Sequence, residues 1–179
     1  MKKVFCVLIA LMIMISDTCF AGSVGDSEIS LGGISVNSTA SYIRSVYGEP
    51  TKIRDEYNGE EDIWERVWYY GRDVKIYFHD SDRSTVSHVI VTANNGFSTP
   101  AGVYVGMRES ALEEVYGAPM TPKSYNHGYT DKNGIWHSHS YYRSASNMTT
   151  GILIEAANGK IVKINIGDGF QVHGYYYEK

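Results

Sequence analysis

The 179-residue chain contains an internal repeat, and this repeat restricts the possible folds more than any other feature. The segment Gly-Ile-Ser-Val at 33–36 aligns with Gly-Val-Tyr-Val at 102–105. At the same offset of 69 residues, Val-Tyr-Gly-Glu-Pro at 46–50 aligns with Val-Tyr-Gly-Ala-Pro at 115–119. Two copies of one supersecondary unit are therefore expected to fill most of the chain.

Each copy begins with a pattern that is typical of a short helix. Apolar residues three positions apart, starting at Ile43, predict a helix near 39–47. Gly48 then provides a residue that tolerates the left-handed conformation at a helix end, and a proline follows two residues later. The second copy repeats these features, which predicts a helix near 107–116 that ends at Gly117.

The remainder of each copy is strand-like. Aromatic and β-branched residues alternate with polar ones, and Asn-Gly dipeptides, which favour tight hairpin turns, separate the segments. Strands are predicted near 51–57, 63–70, 74–79 and 86–92 in the first copy and near 121–129, 135–143, 151–156 and 161–166 in the second.

These elements predict an α+β fold with two tandem repeats, at 29–97 and 98–168. In each repeat a short helix, or a helical pair, packs on a three- to four-stranded antiparallel sheet and leaves the other sheet face open. The strand residues expected to face the helices are Val74, Ile76 and Phe78 in the first sheet and Ile152, Ile154, Val162, Ile164 and Ile166 in the second.

The N-terminus has the features of a secretory signal peptide at 1–21. Two lysines precede an apolar segment, and a small-x-small site ends at Ala21. Both cysteines, Cys6 and Cys19, lie in this segment, so the processed chain is expected to have no disulfide and no thiol chemistry. The predicted location is secreted or periplasmic. A linker at 22–28 and a Tyr-rich tail at 169–179 complete the predicted organisation.

The charge balance excludes nucleic acid as a main partner. Without Lys2, Lys3 and Asp17, 14 basic and 19 acidic residues remain, a net charge of −5 that opposes binding to phosphates. No apolar stretch after residue 21 approaches the ~20 residues of a membrane span, so none is predicted.

The repeated motifs resemble those of a known family. Gly-[Ile/Val]-x-Val, the Val-Tyr-Gly-x-Pro after each short helix and the later Tyr-Tyr pair resemble the repeat of the β-lactamase inhibitory protein (BLIP) fold, shared with outer-membrane assembly lipoproteins of the SmpA/OmlA type. The resemblance covers residues 29–168, and the doubling is similar to the tandem inhibitor. It implies an inhibitor-like or envelope-associated protein that binds other proteins.

The candidate binding residues in this sequence are aromatic. Neighbours on a strand alternate between faces, so one tyrosine of each Tyr-Tyr pair is expected to be buried and the other to be accessible. Accessible aromatic side chains are typical of protein-recognition surfaces, although cross-strand pairing within the sheet is an alternative reason for them. The candidate binding residues are Trp68, Tyr69, Tyr70, Trp136, Tyr141 and Tyr142.

His137 and His139 form the best candidate metal site. Residues i and i+2 of a strand point to the same side, so the two rings can approach one ion. A two- or four-residue turn at 131–134 would leave His127 on the opposite face, without a third ligand. Only an odd-length loop would bring His127 to the same face as the other two histidines. Structural or surface histidines are therefore the main interpretation, and no metal or cofactor is predicted.

Other candidate chemistry is weaker. Gly-Asp-Ser at 25–27 lacks the Asp-x-x-His of serine esterases, and the acidic run at 60–62 lacks the spacing of a calcium loop. The run is either a solvated hairpin tip or an acidic docking patch. The sequence thus predicts an exported, non-enzymatic module that binds another extracytoplasmic protein through open aromatic sheet faces rather than through the acidic hairpin. The alternative is a small extracytoplasmic enzyme or metal-binding protein that uses His137 and His139.

Overall fold

The computed structural model describes residues 22–59, 62–120, 128–147 and 149–168. Within these ranges the chain is mostly β, with two short α-helices, α1 (Ala40–Tyr47) and α2 (Leu112–Tyr116). No helix in this part of the chain has the length and apolar character needed to cross a membrane. The strands are β1 (Ser23–Val24), β2 (Ser30–Leu31), β3 (Ile34–Ser35), β4 (Lys52–Asn58), β5 (Ile63–Tyr70), β6 (Val74–Phe78), β7 (Val86–Val91), β8 (Gly128–Thr130), β9 (Trp136–Ser144), β10 (Thr150–Ala157) and β11 (Lys160–Asp168).

Nine of these strands form one continuous sheet. Its order is β1-β9-β10-β11-β7-β6-β5-β4, and β8 pairs with the same edge of β9 as β1 does; β2 and β3 form a separate pair. The two antiparallel meanders are joined where β7 pairs with β11, with Val91 opposite Ile164 and Val89 opposite Ile166. β1 runs parallel to β9, so the sheet is mixed. The prediction of two separate helix-on-sheet repeats is therefore wrong.

Burial of β7 on both faces explains this difference. All six residues of β7 are buried, which is the environment of a central strand rather than of a sheet edge. Alternation within each repeat indicates which residues face a core, but it does not indicate whether the last strands of the two meanders pair with each other. Pairing of β7 with β11 removes two exposed strand edges at once.

The individual elements lie close to their predicted positions. Predicted and observed strand ends differ by no more than two residues, except at the start of β8, because 121–127 lie outside the described residues. Thr39 caps α1 by accepting a hydrogen bond from the Tyr42 backbone N–H at 3.2 Å. The second helix is shorter than predicted, because residues 109–111 form a 3-10 turn and Arg108 provides no side-chain cap.

The main hydrophobic core of the described residues lies on one face of the sheet, here called the core face. Ile43 of α1 and Leu112 of α2 belong to the same cluster as the inward residues of both meanders. The predicted inward residues are confirmed except for Val162. A register shift next to Glu155 pairs Ala156 with Ile161, so Ile161 takes the buried position and Val162 does not.

Residues 22–28, expected to form a linker, contribute an edge strand and a 3-10 turn to the fold. The Asp26 carboxylate accepts hydrogen bonds from the Ser144 and Ser146 hydroxyls, and these bonds lower the pKa of Asp26. Glu28 accepts a hydrogen bond from the Tyr116 hydroxyl at 3.2 Å. The polar residues of this segment therefore attach it to the second meander. The predicted signal peptide at 1–21, the tail at 169–179 and His127 lie outside the described residues.

Candidate functional site

The six predicted aromatic binding residues do not form an accessible surface. Trp68 is buried beneath Arg44, whose guanidinium carbon lies 4.3 Å from the centroid of the indole ring. Both tyrosines of the second pair are buried as well, whereas those of the first pair are half-buried. Only Trp136 is largely exposed, with 43% of its surface accessible.

Tyr141 and Tyr142 alternate between faces as predicted, yet neither is accessible. Tyr142 lies in the core, and Tyr141 packs with Leu153 and Met120 on the opposite face of the sheet. Gly151 leaves room for this second ring, since a Cβ atom at Gly151 would lie 2.6 Å from the Tyr141 ring. The prediction that one member of this pair is exposed is wrong, because the opposite face is itself covered at this point.

The first tyrosine pair is also held within the fold. The Tyr69 ring lies between two lysine side chains, with the ammonium groups of Lys52 and Lys75 at 5.3 and 5.2 Å from its centroid. The Tyr70 hydroxyl donates a hydrogen bond to the Gly48 carbonyl at 3.0 Å, which connects the strand to the end of α1. These contacts stabilise the sheet, so the structure favours cross-strand packing as the role of this pair.

A different pair of aromatic residues is exposed, at the end of the β4–β5 hairpin. Tyr57 and Trp64 are directly opposite each other on the two strands, with ring centroids 5.5 Å apart. They are 53% and 54% exposed, and Ile53 on the same face of β4 is 45% exposed. We call Ile53, Tyr57 and Trp64 the aromatic hairpin. Their side chains lie on the core face of the sheet, but beyond the part that the core covers.

The sequence contains a signal for this pair that the Tyr-Tyr motifs obscured. Tyr57 and Trp64 lie next to the facing ends of two predicted strands, 51–57 and 63–70, and residues next to a hairpin turn have fewer strand neighbours to cover them. The β8–β9 hairpin also carries exposed aromatic residues, but Tyr129 is opposite His137 and Trp136 is opposite Thr130, which places the two rings on opposite faces. The aromatic hairpin is thus the place where two exposed aromatic rings share one face.

The surroundings of the aromatic hairpin are acidic. The turn between its strands contains the sequence Glu-Glu-Asp at 60–62, and Asp62 is exposed. The Tyr57 hydroxyl donates a hydrogen bond to the Asp62 carboxylate, and this bond raises the pKa of Tyr57. Aromatic rings next to exposed carboxylates are suited to binding cations, since both carry negative potential towards solvent.

A second polar group lies on the opposite face of the sheet and includes both candidate histidines. We call it the Glu155 cluster; its members are Glu155, His137, His139, Lys163 and Tyr129. His137 Nδ1 lies 2.6 Å from Glu155 Oε1, and His139 Nε2 lies 3.9 Å from Glu155 Oε2. Lys163 Nζ lies 2.5 Å from Oε2, and the Tyr129 hydroxyl donates to Oε1 at 2.9 Å. Both carboxylate oxygens are therefore occupied by donors or cations.

Glu155 is held in its ionised form. Burial opposes the charge, but hydrogen bonds from His139, Lys163 and Tyr129, together with the positive charge of Lys163, outweigh it and lower the pKa of Glu155. The Tyr129 ring stacks on the His137 ring with centroids 4.8 Å apart, which covers the cluster on one side. The Glu155 carboxylate is therefore buried with its charge neutralised, and its contacts connect β8, β9, β10 and β11.

The prediction that His137 and His139 point to the same side is confirmed by their shared contact with Glu155. The predicted turn length is wrong, because residues 131–135 form a five-residue loop. An odd length is the case in which His127 is expected to share a face with the two histidines, but His127 lies outside the described residues. The Asp131 carboxylate accepts hydrogen bonds from the backbone N–H groups of Asn133 and Ile135, which stabilises this longer loop. Among the described residues, no group of three or more His, Cys, Asp or Glu side chains is arranged to hold a metal ion.

The chain has no match among family models, curated proteins or solved structures. The functional interpretation therefore depends on the geometry and chemistry of its own residues.

Acidification should remove the stability that Glu155 provides. Its folded pKa lies below the ordinary value of 4.5, so its contribution is complete above that value and is lost as the pH falls towards the folded pKa. We expect Glu155→Gln to lower the free energy of unfolding by roughly 3 kcal/mol at neutral pH. In urea denaturation, the difference in the free energy of unfolding between this variant and wild type should decrease as the pH falls from about 5 to about 3.

The matched control for this experiment is Glu114→Gln, because Glu114 is an exposed carboxylate on α2. We expect this variant to differ from wild type by less than about 0.5 kcal/mol across the same pH range. If the free energies of unfolding of wild type and Glu155→Gln changed with pH in parallel, this result would contradict the assignment of Glu155 as a buried, ionised carboxylate.

Zinc and copper should not bind tightly. The two histidine rings already contact Glu155, whose negative charge Lys163 neutralises, so an ion would have to displace these contacts. In calorimetric titration we expect no one-to-one complex with a Kd below about 1 µM. A tight complex that is lost in His137→Ala would show instead that the cluster is a metal site.

Proposed function

We propose that the protein is an exported, non-enzymatic protein-binding module and that it contacts another extracytoplasmic protein through the aromatic hairpin. The observation that carries this proposal is the cross-strand pair of Tyr57 and Trp64, each more than half exposed on one face. Large, rigid aromatic side chains lose little conformational entropy on binding and dominate the energy of many interfaces. The exposure of two such rings to water is unfavourable in free energy, and a partner that covers them would remove this penalty.

The chemistry around the hairpin favours a partner segment that combines cationic and apolar side chains. The Asp62 carboxylate accepts a hydrogen bond from the exposed Tyr57, and the indole ring of Trp64 provides a strong cation–π surface. Arginine or lysine side chains could interact with both groups at once, while an apolar side chain would cover Ile53. Electrostatic attraction would mainly raise the association rate, and the aromatic contacts would supply most of the affinity.

The proposed location is secreted or periplasmic, after removal of residues 1–21. The likeness of the Val-Tyr-Gly-x-Pro motifs to those of the BLIP and SmpA/OmlA repeat supports an inhibitor-like or envelope-associated role within the same class. Binding to nucleic acid is disfavoured by the net negative charge of the chain.

The alternative, a small extracytoplasmic enzyme or metal-binding protein that uses His137 and His139, has less support. Both rings contact Glu155, and the oxygens of this carboxylate also receive Lys163 and Tyr129. A general base needs a free lone pair directed at a substrate, and a metal ligand needs one directed at an ion. The contacts of the Glu155 cluster favour a stabilising role.

Truncation of the exposed rings should abolish partner binding without unfolding the protein. The purified protein and a Tyr57→Ala/Trp64→Ala variant would be used to capture proteins from the exported fraction of the source cells. Binding of each captured candidate to both forms would then be measured with purified components. For the proposed partner we expect a loss of affinity of about 30-fold or more, about 2 kcal/mol. The Trp64 fluorescence should also shift to shorter wavelength on binding, because the partner would exclude water from the ring.

Tyr104→Ala is the matched control, since Tyr104 is 40% exposed but lies outside the β4–β5 hairpin. It should bind the partner as tightly as the wild type does. Equal affinity of the double variant and the wild type for every captured protein would refute the proposed contact surface. Thermal unfolding of all three proteins would establish that the truncations act on binding rather than on folding.

A further inference from the structure

The β4 strand forms one edge of the nine-stranded sheet. It pairs with β5 on one side and has no strand on its other side among the described residues. Five of its seven residues are exposed. The outer edge of such a strand presents backbone N–H and C=O groups that can pair with another chain. The described ranges contain no β-bulge in β4, and its sequence contains no proline, two of the features that block such pairing. Charged side chains on an edge strand also oppose pairing unless the facing strand supplies opposite charges.

The charges along β4 are arranged symmetrically about Asp55. Arg54 precedes Asp55 and Glu56 follows it, while Ile53 and Tyr57 occupy the next positions outward. An antiparallel pair of identical strands centred on Asp55 places each Arg54 opposite a Glu56 and each Ile53 opposite a Tyr57. Opposite charges and apolar pairs at directly facing positions both stabilise an antiparallel pair.

We propose that a second copy of this chain pairs with the first along β4, antiparallel, with Asp55 on the two-fold axis. The interface would be isologous, because each strand contributes the same residues to it. Two copies of the sheet would then form one larger continuous sheet. This proposal does not rest on the binding partner proposed above, because it is argued from the backbone edge and the charges of β4, although the two surfaces share Ile53 and Tyr57.

The repulsion between two Asp55 carboxylates at the axis is reduced by arginines of the same chain. Arg66 Nε lies 3.2 Å from Asp55 Oδ1, and Arg83 Nη1 lies 3.6 Å from Asp55 Oδ2. A pairing centred on Arg54 would instead place two arginines opposite each other, and Arg54 forms no ion pair within the described ranges. Pairing centred on Glu56 would place Asp55 opposite Tyr57. Only the register centred on Asp55 matches both the charged and the apolar neighbours.

Arg54 forms no ion pair with another described residue of its own chain, so its guanidinium can pair with a carboxylate of the second copy. It is exposed on an edge strand, and its facing position in the second copy is Glu56. Within its own chain, Glu56 lies 3.6 Å from Lys75 and accepts a hydrogen bond from the Tyr69 hydroxyl. These contacts hold the Glu56 carboxylate in place, so a second copy would meet a positioned acceptor. On the other face, Tyr57 would lie beside Ile53 of the second copy and extend the aromatic hairpin surface.

Charge reversal provides a test that is specific to this register. Sedimentation of the purified protein over a concentration series up to about 1 mM should show a monomer–dimer equilibrium at low salt. Arg54→Glu and Glu56→Arg should each weaken self-association by about tenfold or more, because each places like charges opposite each other twice. A mixture of the two variants should form a heterodimer, since every facing pair then again joins opposite charges.

Arg72→Glu serves as the matched control, because it makes the same charge change at an exposed position in the β5–β6 turn. It should leave self-association unchanged. A purely monomeric wild type, a dimer that withstands Arg54→Glu, or a mixture that fails to associate would each overturn the proposal. Circular dichroism would confirm folding, and if a reversal unfolds the chain, the neutral variants Arg54→Gln and Glu56→Gln should still weaken the dimer.

Discussion

Pairing of β7 with β11 determines the shape of the whole molecule. Val91 opposite Ile164 and Val89 opposite Ile166 connect two meanders that each contain four strands. Their side chains lie in one core that also takes Ile43 from α1. Because the last strand of each meander becomes central, the edges of the combined sheet are formed by the first strands of the meanders and by β1.

This arrangement separates stabilising residues from residues that can meet a partner. Several polar side chains opposite the core on the central strands are buried with partners within the sheet, whereas the Asn165 amide on β11 is buried without a hydrogen bond among the described residues. His88, for example, stacks on Tyr77 with ring centroids 3.8 Å apart, and its Nδ1 lies 3.9 Å from Glu65 Oε1. Towards the sheet edges the cover decreases, and the exposed aromatic residues appear at the ends of the first hairpins. Binding is therefore proposed at an edge hairpin and not on the sheet centre.

The sequence predicted the local structure well and the tertiary arrangement poorly, for identifiable reasons. Thr39, Gly48 and Gly117 act at the helix ends through short-range backbone geometry, which a sequence pattern contains. Burial of Tyr141 on the face opposite the core depends on Gly151 of the adjacent strand and on Met120, which belong to other parts of the fold. Pairing of the two meanders likewise depends on contacts between residues about 75 positions apart. Alternation predicted which face each side chain occupies, but not whether that face is covered.

The site predictions divide in the same way. The common direction of His137 and His139 follows from strand geometry alone, and it is confirmed. Their partner Glu155 comes from the adjacent strand, and nothing in the sequence near the histidines identifies it. The strand ends predicted at 57 and 63 place Tyr57 and Trp64 next to a turn, but the Asn58-Gly59 dipeptide does not predict their pairing. A two-residue turn there would place Tyr57 opposite Glu60, whereas the strands place it opposite Trp64.

Native-state hydrogen exchange of an Ile76→Ala variant tests the central claim most directly. Ile76 lies in the first meander, and its truncation should lower the free energy of unfolding by about 2–5 kcal/mol. If the β7–β11 pairing makes one cooperative sheet, the slowest amides of β6, β7, β10 and β11 will all lose protection by the same amount. Loss of protection in β6 and β7 alone, with β10 and β11 unchanged, would show that the two meanders unfold separately and would contradict this account.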